Sequence, residues 1–366
     1  MPRIFSGIQP SGELHIGNYL GAVKNWVALQ EQYESFFCVV DYHAITAPYA
    51  PDDLRRRTRE MATSLLAAGL DPAKCAVFVQ SRVPEHTELA WIFNTITPLG
   101  ELERQVQFKD KAARQEQVMA GLLNYPVLQA ADILLYLADT VPVGEDQVQH
   151  LELSRVIARN WNARFAPEGA PYFPEPQPRL TPTRRIAGLD GQAKMSKSLG
   201  NTIGLLESSD DIWAKVRPAV TDPARVRKTD AGNPDHCPVV FGLHQAFSPG
   251  ATVSEVETNC RAASWGCVDC KKALLESMNV VLTPIRARAQ ALDERPSLVD
   301  VALDAGAEKA RATARRTINL ALRRGPRLPR RLPLLRRRAR DAHPPVAAQV
   351  RRRLRPRRGH DLRPLL

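Results

Sequence analysis

Up to about residue 185, short apolar runs alternate with helix-forming stretches, and that order leaves few architectures open. Arg3-Ile4-Phe5-Ser6-Gly7 reads as a strand, and an amphipathic helix is expected from near His15. Phe36-Phe37-Cys38-Val39-Val40 is a second, buried strand ending in Asp41-Tyr42-His43. Pro51-Asp52-Asp53 opens a helix with carboxylates in its first turn, running to Gly69. Ala76-Val77-Phe78-Val79 is a third strand and Glu85 to Ile96 a helix. Pro126 is read as the start of a long apolar helix to Ala138. Val141-Pro142-Val143 then leads into Gly144-Glu145-Asp146-Gln147. Strands alternating with helices predict an α/β, Rossmann-like fold around a doubly wound parallel sheet. Ligands bind such sheets at the C-terminal ends of the strands, where Asp41, Gly144 and the loop after the first strand lie.

After Gly204 the pattern changes. Residues 206–317 read as mostly helical, without a clear strand run. The expected organisation is a catalytic domain over 1–205, a smaller all-helical domain over 206–317, and an Arg/Pro-rich tail over 318–366.

Two segments carry phosphate chemistry. Pro10-Ser11-Gly12-Glu13-Leu14-His15-Ile16-Gly17-Asn18 forms a strand–loop–helix turn with glycines around it. Glycines let a nucleotide approach the backbone, and the free N–H groups of a helix N-terminus favour phosphate. Some 180 residues on, Lys194-Met195-Ser196-Lys197-Ser198 puts two lysines and two serines in one Gly-flanked loop. Such a loop can close over the β- and γ-phosphates and neutralise charge growing in the transition state. Either segment alone has an ordinary reading, a plain strand–helix turn or a basic solvated loop. The pair, in this order, leaves those readings little room.

Tyr125, Gln129, Asp132 and Tyr136 are spaced to share one face of an otherwise apolar helix. A buried carboxylate at Asp132 needs a partner, because an unpaired one is costly or becomes protonated. A ligand N–H and an internal protein partner are both open.

His15-Ile16-Gly17-Asn18 resembles the HIGH signature of class I aminoacyl-tRNA synthetases, and Lys194–Ser198 is a full KMSKS signature. Gly-Glu-Asp-Gln after Val-Pro-Val, the Tyr125–Asp132 segment and Ser-Gly-Ile-Gln-Pro-Ser-Gly at residues 6–12 narrow the resemblance to the tryptophanyl-tRNA synthetase family, over residues 2 to about 316. The resemblance implies that Asp132 accepts from the indole N–H and that Phe5, Val141 and Val143 wall the indole pocket. Tyr125 and Gln147 would hold the substrate amino group. Gln129 stands where some members carry Met on one indole face. Gln9, Pro10, Ser11, Gly17, Asn18, Gly144, Glu145, Asp146, Ile186, Met195, Ser196 and Ser198 map to ATP binding. His15 and Asn18 would hold the phosphates, and Lys111, Lys194 and Lys197 would stabilise departing pyrophosphate. The implied activity is a tryptophan–tRNA ligase that uses L-tryptophan, ATP with Mg²⁺ and tRNA(Trp), and works as a homodimer. The rival readings are a tyrosyl-tRNA synthetase, a non-catalytic synthetase-like regulator, and an RNA-binding protein defined by its tail.

A second constellation is independent of these. Cys237, Cys260, Cys267 and Cys270 have the spacing Cys-x22-Cys-x6-Cys-x2-Cys. A cytosolic setting disfavours disulfides, so metal binding leads. Structural zinc usually shows two close Cys pairs, whereas here there is one pair and two outlying ligands. A cubane cluster tolerates such spacing. The spacing also resembles a bacterial subset of the family that carries a 4Fe–4S cluster in the anticodon-binding domain. Zinc and free thiols are the alternatives. Cys38 and Cys75 sit in or beside apolar strands and read as core.

No apolar run approaches the ~20 residues needed to span a bilayer, and no secretion signal follows Met1-Pro2-Arg3, so no membrane role and a cytoplasmic location are expected. The net charge of +12 does not locate an RNA surface. Residues 318–366 hold sixteen Arg, seven Pro, no Lys and two acidic residues, a net of +14 that leaves −2 for everything before them. Pro326, Pro329 and Pro333 break any helix there. An RNA-binding arm usually mixes in aromatic stacking groups, and this tail has no Phe, Tyr or Trp. Its composition is that of GC-rich codons read out of frame. A frameshift near codon 317 and a disordered basic extension are the two readings.

Overall fold

The computed structural model describes residues 1–113, 116–144, 148–180, 186–191, 195–196 and 199–325, with the Lys111 side chain excepted. A five-stranded sheet has the order β3-β2-β1-β4-β5, where β1 is Arg3–Ile8, β2 Glu34–Val39, β3 Ala76–Val79, β4 Thr140–Val143 and β5 Gln177–Leu180. Every pairing is parallel. The chain builds outward from β1 to β3, then returns to the other side of β1 to place β4 and β5. The topological switch point therefore lies between β1 and β4, where a crevice opens at the strand ends. The Ser6 hydroxyl donates to the Pro142 carbonyl at 3.1 Å across that boundary.

Both sheet faces are buried, as the continuous apolar runs require. Phe37, Val39, Val77 and Val79 face one core, and Phe36, Cys38, Ala76 and Phe78 face the other. The Pro51–Ala68 helix covers the first face and ends on Gly69, whose φ of 117° is the left-handed cap glycine permits. The Glu85–Asn94, Ala120–Leu135 and Val148–Phe165 helices contribute to the second core.

Three expectations need correction. The helix expected to begin at Pro126 begins at Ala120 and carries Pro126 inside it. It stops at Leu135 because Leu137 turns left-handed, with φ 51°. The helix after His15 is not uniform: a π turn over Tyr19–Val23 separates Ile16–Asn18 from Lys24–Leu29. Lastly, the C-terminal helix does not fail at Thr317 but runs over Pro296–Arg324, with Ile318, Ala321 and Leu322 buried. Apolar spacing carries the helix seven residues past the expected boundary, and the remaining tail, 326–366, lies outside the described residues.

That last helix packs on β3 and covers the sheet edge. Gly306 makes the approach possible, since a Cβ there would sit 2.0 Å from the Val77 carbonyl oxygen. Residues after 205 are helical as expected, but packing does not break there. Ile203, Leu205, Val239, Leu243, Leu274 and Met278 join the same core as Phe37 and Val39, and residues 1–325 form one compact unit.

Candidate active site and cysteine cavity

A cleft of about 540 Å³ opens at the β1/β4 switch point. Of the residues singled out from the sequence, Phe5, Gln9, Ser11, Asn18, Tyr125, Gln129, Asp132, Val141, Val143 and Gly144 border it. So do Ser6, His43, Thr46, Gln107 and Ile133, which the sequence did not single out. Pro10 is buried beside the cleft loop.

Asp132 is fully enclosed. Its Oδ1 accepts from Gln80 Nε2 at 2.7 Å and lies 2.6 Å from His86 Nδ1, while Oδ2 lies 2.7 Å from His43 Nε2. Burial penalises the charged carboxylate, but the two histidines outweigh it and hold Asp132 well below the usual carboxylate range. Both readings of this residue thus meet in one geometry. The carboxylate is paired inside the protein and also borders the cleft. Oδ1 has two partners and Oδ2 one, so Oδ2 keeps room for a further donor. Tyr136 does not share the cleft. It lies in the floor beneath, 2.8 Å from His86 Nε2 and stacked on Phe5 and Phe36.

The Tyr125 hydroxyl donates to Gln107 Oε1 at 3.1 Å and lies 3.1 Å from His150 Nε2. Burial pushes its pKa up to about 12, so it stays a neutral phenol.

The first phosphate motif is organised by His15. Its Nδ1 accepts from the Asn18 N–H at 3.3 Å, capping the Ile16–Asn18 turn. An accepting Nδ1 places the neutral ring's proton on Nε2. Gly17 is required beside it, since a Cβ would lie 2.9 Å from His15 Nδ1 and 3.5 Å from Met195 Cβ. Met195 of the second motif is therefore against the first. Backbone bonds stitch the two regions together: Ile16 N–H donates to Ile203 O at 2.9 Å and Leu205 N–H to Leu14 O at 2.7 Å. Asn201 anchors the lysine loop, accepting from the Ser196 N–H at 2.8 Å while its amide donates to the Asp190 carboxylate. The Ile186 carbonyl takes the Met195 N–H at 3.3 Å. Asn201 and Asp190 were missed; as loop anchors they resemble any Asn or Asp near a glycine. Glu145, Asp146, Gln147, Lys194, Lys197 and Ser198, and the Lys111 side chain, lie outside the described residues.

The four clustered cysteines border one small apolar cavity, with Arg225, Trp265, Val240 and Val256. None is in a disulfide. Burial and the neighbouring cysteines push the Cys270 thiol up to about 12. Among the described residues, no set of three or more His, Cys, Asp or Glu stands in metal-holding array.

Residues 1–283 match the model of the tRNA synthetases class I (W and Y) family. A tryptophan–tRNA ligase of Deinococcus radiodurans is 55% identical over 319 residues, covering 86% of this chain and 95% of that relative. One of Thermotoga maritima is 46% identical over 324 residues, covering 86% and 96%. The crystal structure of tryptophanyl-tRNA synthetase from Campylobacter jejuni complexed with ADP and tryptophan superposes with a TM-score of 0.80 at 36% identity, covering 88% of this chain and 98% of that one. The chain belongs to the tryptophanyl-tRNA synthetases of class I.

In this tryptophanyl-tRNA synthetase fold, the two signatures are about 180 residues apart in sequence and in contact through Gly17 and Met195. Residues that the sequence resemblance assigns to nucleotide and to amino acid border one cleft, with Phe5 from β1 on one side of the switch point and Val141 and Val143 from β4 on the other. The partners of Asp132 escaped sequence reasoning. His43 carried a weak signal, since it follows a strand that ends at the binding edge.

Proposed function

We infer that this synthetase activates L-tryptophan with ATP, giving tryptophanyl-adenylate and pyrophosphate, and then passes tryptophan to the 3′ end of tRNA(Trp). The observation that carries the choice of substrate is Asp132, ionised, immobilised by three partners at the border of the cleft, with lone-pair capacity left on Oδ2 among the described residues. An indole N–H is such a donor, and Phe5, Ile133, Val141 and Val143 offer the ring apolar walls. The tryptophan carboxylate attacks the α-phosphorus in line, an oxygen–phosphorus bond forms, and the bond to pyrophosphate breaks. His15 and Asn18 hold phosphate oxygens at the turn, and Lys111, Lys194 and Lys197 neutralise the leaving pyrophosphate, with Mg²⁺ travelling on ATP. Positioning and charge stabilisation suffice, and no covalent enzyme intermediate is required. Tyr125 and Gln147 take the substrate amino group. Gly144, Glu145, Asp146 and Ile186 complete the nucleotide site. Tryptophan-dependent ATP–pyrophosphate exchange tests this reading. Tryptophan should support exchange and tyrosine should not; exchange with tyrosine alone would reverse the assignment.

The enzyme works as a homodimer. An exposed apolar groove beside the active-site helix supports this, where Trp91 is 72%, Met119 59% and Tyr49 52% exposed. A patch of that kind marks an interface, and light scattering should give twice the chain mass. It works in the cytoplasm; no helix among the described residues is long and apolar enough to cross a membrane.

The cysteine cavity takes a 4Fe–4S cluster, with zinc as the alternative. The support is chemical: four thiols from three separate segments border one apolar space, and all-thiolate donor sets suit both groups. Cys237, Cys260, Cys267 and Cys270 would hold it. Anaerobically purified protein should be brown, with broad absorbance near 400 nm (about that value for thiolate-bound iron–sulfur centres). Colourless protein with stoichiometric zinc would select the alternative.

A further inference from the structure

We propose that Arg225 is the counter-charge of the cysteine cavity, a cation set to donate to the sulfurs of an anionic metal–thiolate centre. The inference rests on the metal reading above and adds a residue to it. Arg225 lies on the segment that leads to Cys237 and borders the cavity with all four cysteines. Its Nη2 donates to the Lys228 carbonyl at 3.0 Å and the Trp265 carbonyl at 2.5 Å, which fixes the guanidinium plane. Its Nη1 is 3.8 Å from Cys260 Sγ. Its Nε is buried and has no acceptor among the described residues. Leaving a charged group's N–H unpaired in the interior is expensive, so an acceptor is called for on the cavity side.

Charge points the same way. Among the described residues no ion pair to Arg225 is found. Asp222 also borders the cavity and feels the Arg225 charge, but its carboxylate makes its hydrogen bonds to the backbone N–H groups of Ala224 and Asn233. Lys271, the other cation near the thiols, spends its ammonium on the Arg217 and Ala219 carbonyls at 2.7 Å each. Four neutral thiols offer the guanidinium only weak acceptors. Four thiolates around a divalent metal ion or a doubly charged cubane carry a net negative charge that balances it, and sulfur bound to metal accepts hydrogen bonds. Gly232 permits the arrangement, since a Cβ there would lie 2.6 Å from Cys260 Sγ and 3.2 Å from Arg225 Cδ.

The test compares wild type, Arg225→Gln and Arg225→Lys, all full chain and purified without oxygen. Iron, sulfide and zinc per chain are measured first. Midpoint potential is then followed by dithionite titration, and metal release by transfer to a chelator. One-electron reduction adds negative charge that a nearby cation stabilises, so Arg225→Gln should shift the potential downward and release iron several-fold faster. Arg225→Lys keeps the charge and should restore most of the potential, which a purely structural role for the arginine would not predict. Wild-type potential and release rate in Arg225→Gln would overturn the role of Arg225 while leaving the cluster intact. Wild-type protein without metal, even after reconstitution with iron and sulfide, would overturn the metal reading and this inference with it. If zinc fills the site, the release rates decide: faster loss from Arg225→Gln than from Arg225→Lys supports the proposal, and equal rates in all three proteins overturn it. If Arg225→Gln does not fold, a potential or release rate in Arg225→Lys far from wild type overturns it, and one close to wild type supports it.

Discussion

The active-site cleft and the cysteine cavity handle buried polar chemistry in opposite ways. In the cleft, the protein completes its own network: Asp132 already has Gln80, His43 and His86, and Tyr125 already has Gln107 and His150. The ligand would add one partner to a finished array. In the cavity, the four cysteines form no disulfide, and the Arg225 Nε has no acceptor among the described residues. On the reading proposed above, the cavity would leave its donors for a resident group, whereas the cleft is held rigid for a ligand that comes and goes each turnover.

The largest break in that contrast should come from Asp132→Asn. The amide presents an N–H where the indole also donates, and a site built to pair one polar group loses roughly 10⁴–10⁵-fold when pairing fails. Catalytic efficiency for tryptophan within about tenfold of wild type would remove Asp132 from its assigned role. Smaller, and confined to the transition state, is the effect expected of Lys194→Ala or Lys197→Ala. Adenylate formation should slow by roughly 10²–10³-fold with little change in tryptophan affinity. Equal losses in rate and affinity would contradict a role for these lysines in the departing charge.

The network at Asp132 also has a pH signature. Its pKa is lowered in the folded state, so its contribution to stability is present above the unfolded carboxylate value of about 3.9 and declines as acid approaches the folded value. The stability gap between wild type and Asp132→Asn, measured by denaturant unfolding, should be full at pH 7 and narrow below about pH 4. A gap that widens on acidification would show the sign to be wrong. Gly306→Ala acts on the scaffold, where the C-terminal helix meets β3. The added methyl pushes the C-terminal helix off Val77 and should cost about 1–3 kcal/mol, seen as a lower Tm with exchange activity retained in the cold. Cys267→Ser sits at the small end for chemistry. It should bleach the protein yet leave the rate of pyrophosphate exchange nearly unchanged, and a large loss of exchange would tie the cavity to the cleft.

Much of the fold was legible because its signals are local. Three of the five strands were read as such and Val141–Val143 was noted only as a lead into Gly144, while Gln177–Leu180 went unread because Gln-Pro-Arg-Leu is neither apolar nor alternating and three of its four residues are exposed at an edge. The Pro51–Ala68 helix announced both its ends through Pro51 and Gly69. Pro126 misled because proline favours a helix start, and here tertiary packing keeps it in the interior of a buried helix. The C-terminal helix was cut short because arginines and prolines further on drew the boundary back to Thr317; burial of Ile318, Ala321 and Leu322 holds it to Arg324.

From the sequence alone came the doubly wound sheet, the two phosphate motifs, the cysteine spacing and Asp132 as the residue proposed to face the indole. Each is carried by residues close together in the chain or by a motif of fixed spacing. Only the tertiary structure decided what holds those residues. Asp132 finds its partners 46, 52 and 89 positions away, the His15 turn meets Met195 across some 180 residues, and Arg225 reaches Cys260 and Trp265 across 35 and 40. No local pattern marks a histidine, a glutamine or an arginine for such a post. The assignment is made when the sheet and helices close and a buried charge must be matched by whatever group the fold has brought beside it.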